Sequence, residues 1–169
     1  GVAILPPNPK GSWVSLVRDS KKMTPTQRQR ILPDLQDAAI ALEVGASSSQ
    51  EIDQLGIVAA TQLAMHRALT SLKIQPDFLL LDAFPLPEVD IPQRAIIRGD
   101  ASCLSIATAS IVAKVTRDRI MEEQDTIYPG YGFAKHKGYG TSEHLLNLNR
   151  MGPCPIHRYS FAPIKPRDR

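Results

Sequence analysis

The sequence predicts an α/β fold, a sheet with helices on its faces gathered into a single domain over residues 1–169. Three observations lead there. Short apolar runs of strand length alternate with segments that carry helix-start signals, the pattern of a sheet flanked by helices. A chain of 169 residues has the length of one ordinary domain with its own core. A composition of 43% hydrophobic and 22% charged residues is globular and excludes wholesale disorder.

Taken in order, residues 2–5 are an apolar run halted by Pro6 and Pro7, which cannot donate to a ladder, so a strand ends there. Residues 13–17 alternate apolar and polar side chains and read as a half-buried strand. Thr24-Pro25-Thr26-Gln27 places a cap, a first-turn proline and a reciprocal glutamine in helix-start order. Pro33 removes a backbone bond from that helix, which is expected to kink or end early. Residues 38–46 suit a second strand, closed by Gly45 and a serine-rich loop. Ser48-Ser49-Gln50-Glu51 is another capping box, and Ile57, Ala64, Ala68 and Leu72 then recur near helical spacing.

Residues 78–81 and 95–97 are continuous apolar runs too short for helices, as expected of strands buried on both faces. Over residues 102–120 a helix is expected with Ile106, Ala109, Ala113, Thr116 and Ile120 on one face. Residues 128–140 are rich in glycine, aromatic and basic residues. A last short helix covers 141–151, and the tail from Gly152 is irregular and punctuated by proline.

No apolar run reaches membrane-spanning length, and no basic-then-apolar segment opens the chain. With only Cys103 and Cys154 a disulfide framework is not expected, which favours a reducing, cytoplasmic setting. The net charge of +3 is unevenly spread. Up to Gly130 there are 13 Lys and Arg against 15 Asp and Glu, a net of −2, whereas from Tyr131 onward there are 7 against 2, a net of +5. A basic end on a near-neutral body suits either a polyanion-binding protein or a solvated tail.

Asp82 and Asp100 follow the two buried runs closely, so two strand ends each deliver a carboxylate to the edge where ligands of α/β sheets bind. Singly, each also fits a turn or a helix cap. As a pair they could hold Mg²⁺, a hard cation that takes oxygen ligands. Asp19-Ser20-Lys21-Lys22 sets two ammonium groups just before a helix start, where an anion could be met or the turn could simply be exposed. Lys135-His136-Lys137-Gly138-Tyr139-Gly140 combines close backbone approach, an aromatic ring and two cations, suited to stacking plus phosphate neutralisation or to a solvated turn. His136, His144 and His157 lack standard zinc spacing, and no Ser-His-Asp constellation is apparent in sequence.

Together, Asp19 to Lys22, Leu80-Leu81-Asp82, Arg98-Gly99-Asp100, residues 105–118 (SIATASIVAKVTRD), residues 131–141 (YGFAKHKGYGT) and residues 152–163 (GPCPIHRYSFAP) resemble bacterial ribonuclease HII, the type 2 ribonuclease H family. The six stretches run in family order across nearly the whole chain. The resemblance implies a ribonuclease H-like mixed sheet flanked by helices, with a basic helical and irregular segment over residues 128–169 that binds substrate. It also implies an endonuclease acting on RNA–DNA hybrids and on single ribonucleotides in duplex DNA, with two Mg²⁺ or Mn²⁺ ions, working as a monomer with no membrane partner.

By the same resemblance Asp82 and Asp100 are two of four catalytic, metal-holding carboxylates, and Tyr139 packs against the ribose. Lys21, Lys22, Lys135 and Lys137 are then candidate phosphate contacts. The family's first-strand motif, Gly-x-Asp-Glu-x-Gly-Arg-Gly, has no counterpart here, and residues 1–6 resemble the second strand. The natural protein is therefore expected to carry that strand ahead of Gly1. Without it, its neighbours would lie two strand spacings apart, about 9 to 10 Å, too far for ladder bonds. Two other readings stay open: a non-catalytic nucleic-acid-binding fragment of the family, and a fragment that associates through an unpaired strand edge.

Overall fold

In a computed structural model describing residues 1–164, the chain divides into two compact units. The first joins Gly1–Ala46 to Gln62–Val115, and the second joins Ser47–Thr61 to the chain from Thr116 onward.

The first unit opens with β1 (Val2–Ile4), which pairs antiparallel with β2 (Ala41–Glu43), Val2 opposite Glu43. Between them lie α1 (Trp13–Leu16), a 3-10 turn (Ser20–Lys22) and α2 (Pro25–Ala38). The segment expected as a strand is α1. Five residues of alternation are too few to separate the two periods, and the tertiary contacts decide: Trp13 is buried in the core, and its indole N–H bonds the Lys10 carbonyl at 2.9 Å. The α2 start is as expected, with both bonds of the Thr24–Gln27 capping box made. The helix does not end early at Pro33. That residue is on the solvent face, where water can satisfy the carbonyl left without a partner, while Ile31, Leu32 and Leu35 are buried.

β3 (Leu79–Asp82) and β4 (Gln93–Ile96) form a second, parallel pair, Leu79 opposite Gln93 and Asp82 opposite Ile96. Gln93 holds the intervening loop through both its amide groups, which bond the backbone N–H and carbonyl of Leu86 at 2.8 Å each. The expectation that both faces would be buried fails. Leu80, Arg94 and Ala95 are exposed, because the pair is only two strands wide and one of its faces has no cover.

Two apolar clusters support this unit. Trp13, Met23 and α2 pack on Ile111, Val112 and Val115 of α6 (Leu104–Ile127). Leu69 of α4 (Ile57–Thr70) joins Leu72 and Leu79, with Val2, Ile4 and Leu81 against them. Gly45 lets the chain pass α4 closely, since a Cβ there would stand 2.1 Å from the Ala64 carbonyl oxygen.

The second unit contains α3 (Ser49–Leu55), whose Ser48–Glu51 capping box is complete, and the C-terminal part of α6. The latter runs to Ile127, seven residues beyond its expected end. α7 (Phe133–His136) and α8 (Ser142–Met151) follow, α8 capped by Thr141. Tyr131, Phe133 and Cys154 form the local core with Met121, Tyr128 and Ile156. Asp53 of α3 pins the tail by accepting the backbone N–H groups of Tyr159 (2.7 Å) and Ser160 (2.9 Å).

Candidate active site

Asp82 ends β3, and its Oδ1 accepts the Gly99 backbone N–H at 3.0 Å. Gly99 begins α5 (Gly99–Ser102), so the next residue, Asp100, is carried beside Asp82. Backbone strain flanks both carboxylates. Ala83 has φ 68° inside an i to i+2 turn in which Phe84 N–H bonds the Asp82 carbonyl at 2.9 Å, and Arg98 has φ 56°. Left-handed non-glycine residues cost about 1 to 2 kcal/mol each and persist only where the surroundings enforce them, often at functional sites.

Asp100 is 4% exposed and its Oδ2 accepts the Lys21 ammonium at 3.2 Å, across 79 positions of sequence. Lys21 is aimed there by its turn. The Asp19 side chain accepts the Lys21 N–H, Ser20 Oγ lies 2.8 Å from Ser110 Oγ, and the buried Arg28 guanidinium donates to the Ser20 and Met23 carbonyls. The hydrogen bond to Asp100, and then that carboxylate's charge, push the Lys21 ammonium above its usual range, with Asp19 and Asp82 adding. Lys22 is exposed beside it.

Asp82 also lines a cavity of about 560 Å³ between β1 and β3, walled on one side by Ser105, Ile106 and Ala109 of α6. No ladder joins β1 to β3, although Val2, Ile4, Leu79 and Leu81 touch one apolar cluster. The two strands thus present unpaired backbone edges to a slot with apolar walls. Nothing local in the sequence marks this slot.

In the second unit the turn after α7 gathers the other candidates. Lys135 pairs with Glu143, and Lys137 is 12% exposed, bonded to Glu122 at 2.6 Å and to the Ala134 carbonyl at 2.7 Å. A phosphate contact by either requires giving up part of that pairing. Tyr139 is 56% exposed, and the Arg117 guanidinium lies 5.0 Å from its ring centroid while donating to the Lys137 carbonyl at 2.8 Å. Arg117 is a residue that sequence reasoning did not single out. Its partners lie some 20 positions away on another element, so no spacing rule could reveal it.

A family model described as Ribonuclease HII matches residues 15–164. A ribonuclease HII from Dehalococcoides mccartyi is 50% identical over 165 residues, covering 98% of this chain and 78% of that protein. The chain belongs to the ribonuclease HII family. Another ribonuclease HII, from Desulfitobacterium hafniense, is 54% identical over 149 residues, and this chain spans 57% of its length. The fold matches the crystal structure of the ribonuclease H2 from Pyrococcus horikoshii OT3 with a TM-score of 0.65 at 25% identity, over 90% of this chain and 80% of that one. The ribonuclease H-like α/β fold and membership of an endonuclease family are thereby established. Among the described residues no helix is long and apolar enough to cross a membrane.

Proposed function

We propose that the protein is an endoribonuclease that cuts the RNA strand of RNA–DNA hybrids and cuts duplex DNA on the 5′ side of an embedded ribonucleotide, leaving 5′-phosphate and 3′-hydroxyl ends. The observation that carries this reading is the pairing of Asp82 and Asp100 through Gly99, with the Lys21 ammonium already held on Asp100.

Mg²⁺ or Mn²⁺ fits this donor set. Both donors are carboxylate oxygens, which hard cations favour, and such ions complete their shells with water and substrate phosphate. A lysine ammonium held there is itself a stand-in cation. When bound, two such ions supply an activated water and stabilise the leaving 3′-oxygen. Asp82 and Asp100 would hold them, and the Gly99 N–H keeps Asp82 oriented. Lys21, 76% exposed at its side chain, can swing from Asp100 to a phosphate without leaving solvent.

Among the described residues no group of three or more His, Cys, Asp or Glu is placed to hold a metal. A two-ion site therefore needs further carboxylates. The slot between β1 and β3 is lined by both strands and by Asp82, and we read it as the position from which they come. On the substrate side, Tyr139 packs against the ribose, whose 2′-hydroxyl separates RNA from DNA. Lys22, Lys135 and Lys137 hold phosphates without reading sequence. The expected setting is the cytoplasm, with the protein acting as a monomer.

The test is cleavage of a labelled DNA duplex carrying one ribonucleotide, with Mg²⁺ or Mn²⁺ and with EDTA. Metal-dependent nicking 5′ of the ribonucleotide is expected. Binding that weakens as salt rises, without any nicking, would select the non-catalytic reading.

A further inference from the structure

Beside the Tyr139 turn three histidines cluster in the core of the second unit, all nearly fully buried. The His136 and His144 rings lie 4.3 Å apart and 14° from parallel, and Phe133 contacts all three imidazoles. His144 Nδ1 lies 3.0 Å from the Tyr139 carbonyl, His144 Nε2 lies 3.2 Å from His157 Nε2, and His157 Nδ1 lies 3.0 Å from the Cys154 N–H. His136 Nε2 meets the Tyr131 carbonyl at 2.8 Å, and its Nδ1 accepts the Gly138 N–H at 3.1 Å.

These contacts fix the protons. A carbonyl only accepts, so His144 carries its proton on Nδ1, and its bare Nε2 accepts from His157. His157 Nδ1 also lies 3.2 Å from the Cys154 carbonyl and 3.1 Å from its Sγ, and we take it as bare because the Cys154 N–H, which can only donate, points to it at 3.0 Å. His136 carries its proton on Nε2. In this arrangement His144 and His157 are both neutral, and a proton added to His144 would turn its bond to His157 into a donor facing a donor. The chain ends at the Tyr139 carbonyl, which His144 shares with the Thr141 N–H at 2.8 Å, and the Tyr139 N–H is bonded to the His136 carbonyl at 2.9 Å.

We propose that His144 is a positioning residue for Tyr139, oriented by His157, and that it holds the tyrosine in its ribose-binding pose only while both imidazoles are neutral. This rests on the reading above that Tyr139 meets the substrate ribose. The groups facing the pair are His136, Cys154 and Tyr131 from within the core. At its rim stand Lys135 with Glu143, Lys137 with Glu122, Arg117, and Arg158 near Asp53. Burial holds His144 and His157 below the usual imidazole range and raises the Cys154 thiol and Tyr131 phenol, so none of the four is charged at neutral pH.

Two variants separate positioning from packing. In His144→Asn the amide nitrogen stands where Nδ1 stood and keeps the donor to Tyr139. In His144→Gln the amide reaches the Nε2 end and loses it. Affinity is measured, in EDTA, for a duplex with one ribonucleotide and for the all-DNA duplex. His144→Gln should reduce the preference for the ribonucleotide by roughly 2- to 10-fold, the range of one net hydrogen bond, and His144→Asn should restore most of it. Equal preference in both variants overturns the proposal.

If the unsubstituted protein shows no preference, the ribose reading itself fails, and the positioning claim is decided by imidazole nitrogen-15 NMR. Nδ1-protonated His144, Nε2-protonated His157 and a Tyr139 signal that shifts as the pair titrates support it. The opposite tautomers, or a Tyr139 signal indifferent to their titration, overturn it.

Discussion

Lowering the pH from 7.5 to 5.5 should weaken the second unit. His144 and His157 are held below the usual imidazole value of 6.5, chiefly by burial. The unfolded chain then binds protons that the folded chain refuses, so stability rises with pH. The histidine contribution is complete above about pH 6.5 and is lost as pH falls from there toward the folded values. At one unit below the unfolded value the ceiling, reached only where the folded ring stays fully neutral, is about 1.4 kcal/mol for each histidine and about 2.8 kcal/mol for the pair. For a chain of this size that ceiling corresponds to a thermal midpoint lowered by roughly 5 to 10 °C, so a drop of any size up to that is expected.

The sequence supplies separate reporters. Trp13, the single tryptophan, lies in the first unit, and all four tyrosines (Tyr128, Tyr131, Tyr139 and Tyr159) lie in the second. Thermal unfolding followed by tyrosine absorbance at pH 7.5, 6.5 and 5.5 should show the drop, with tryptophan fluorescence as the comparison. A tyrosine-detected midpoint that stays level or rises across this window refutes the neutral-histidine assignment.

Three further outcomes are expected. Asp82→Asn and Asp100→Asn should each lower metal-dependent cleavage by more than the roughly 10- to 100-fold typical of losing an outer-sphere partner, measured as single-turnover rates against Mn²⁺ concentration. Gly45→Ala should destabilise the first unit by about 3 kcal/mol, since its Cβ would meet backbone of α4 at 2.1 and 2.5 Å and backbone cannot rotate aside, and a tryptophan-detected urea titration reads this directly. Gly99→Ala meets only the tip of Ile106, at 2.5 Å, so a milder loss of about 1 to 2 kcal/mol is expected, together with weaker Mn²⁺ binding as the N–H on Asp82 shifts.

What was legible in the sequence is what short-range chemistry controls. The helix starts at Thr24 and Ser48 could be read because a cap and its partner lie three residues apart, and both bonds of each capping box are present. The strands ending near Asp82 and Asp100 were legible because apolar runs of that length have few alternatives. Local signals failed where a distant partner decides. Trp13–Leu16 is helical through its burial, and α2 passes Pro33 because that position is on the solvent side.

Family membership was set by the order of residues alone, because motifs survive as linear text, and the two carboxylates proposed as metal ligands were named from the same text. Only the tertiary structure decided that Lys21 is bonded to Asp100, that the Arg117 guanidinium lies over the Tyr139 ring, and that His144 Nε2 and His157 Nε2 lie 3.2 Å apart. Each is a contact between residues far apart in sequence, whose geometry depends on the path of the intervening chain. The slot between β1 and β3 is the clearest case. It is defined by hydrogen bonds that two strands do not make to each other, and no reading of either strand by itself contains that fact.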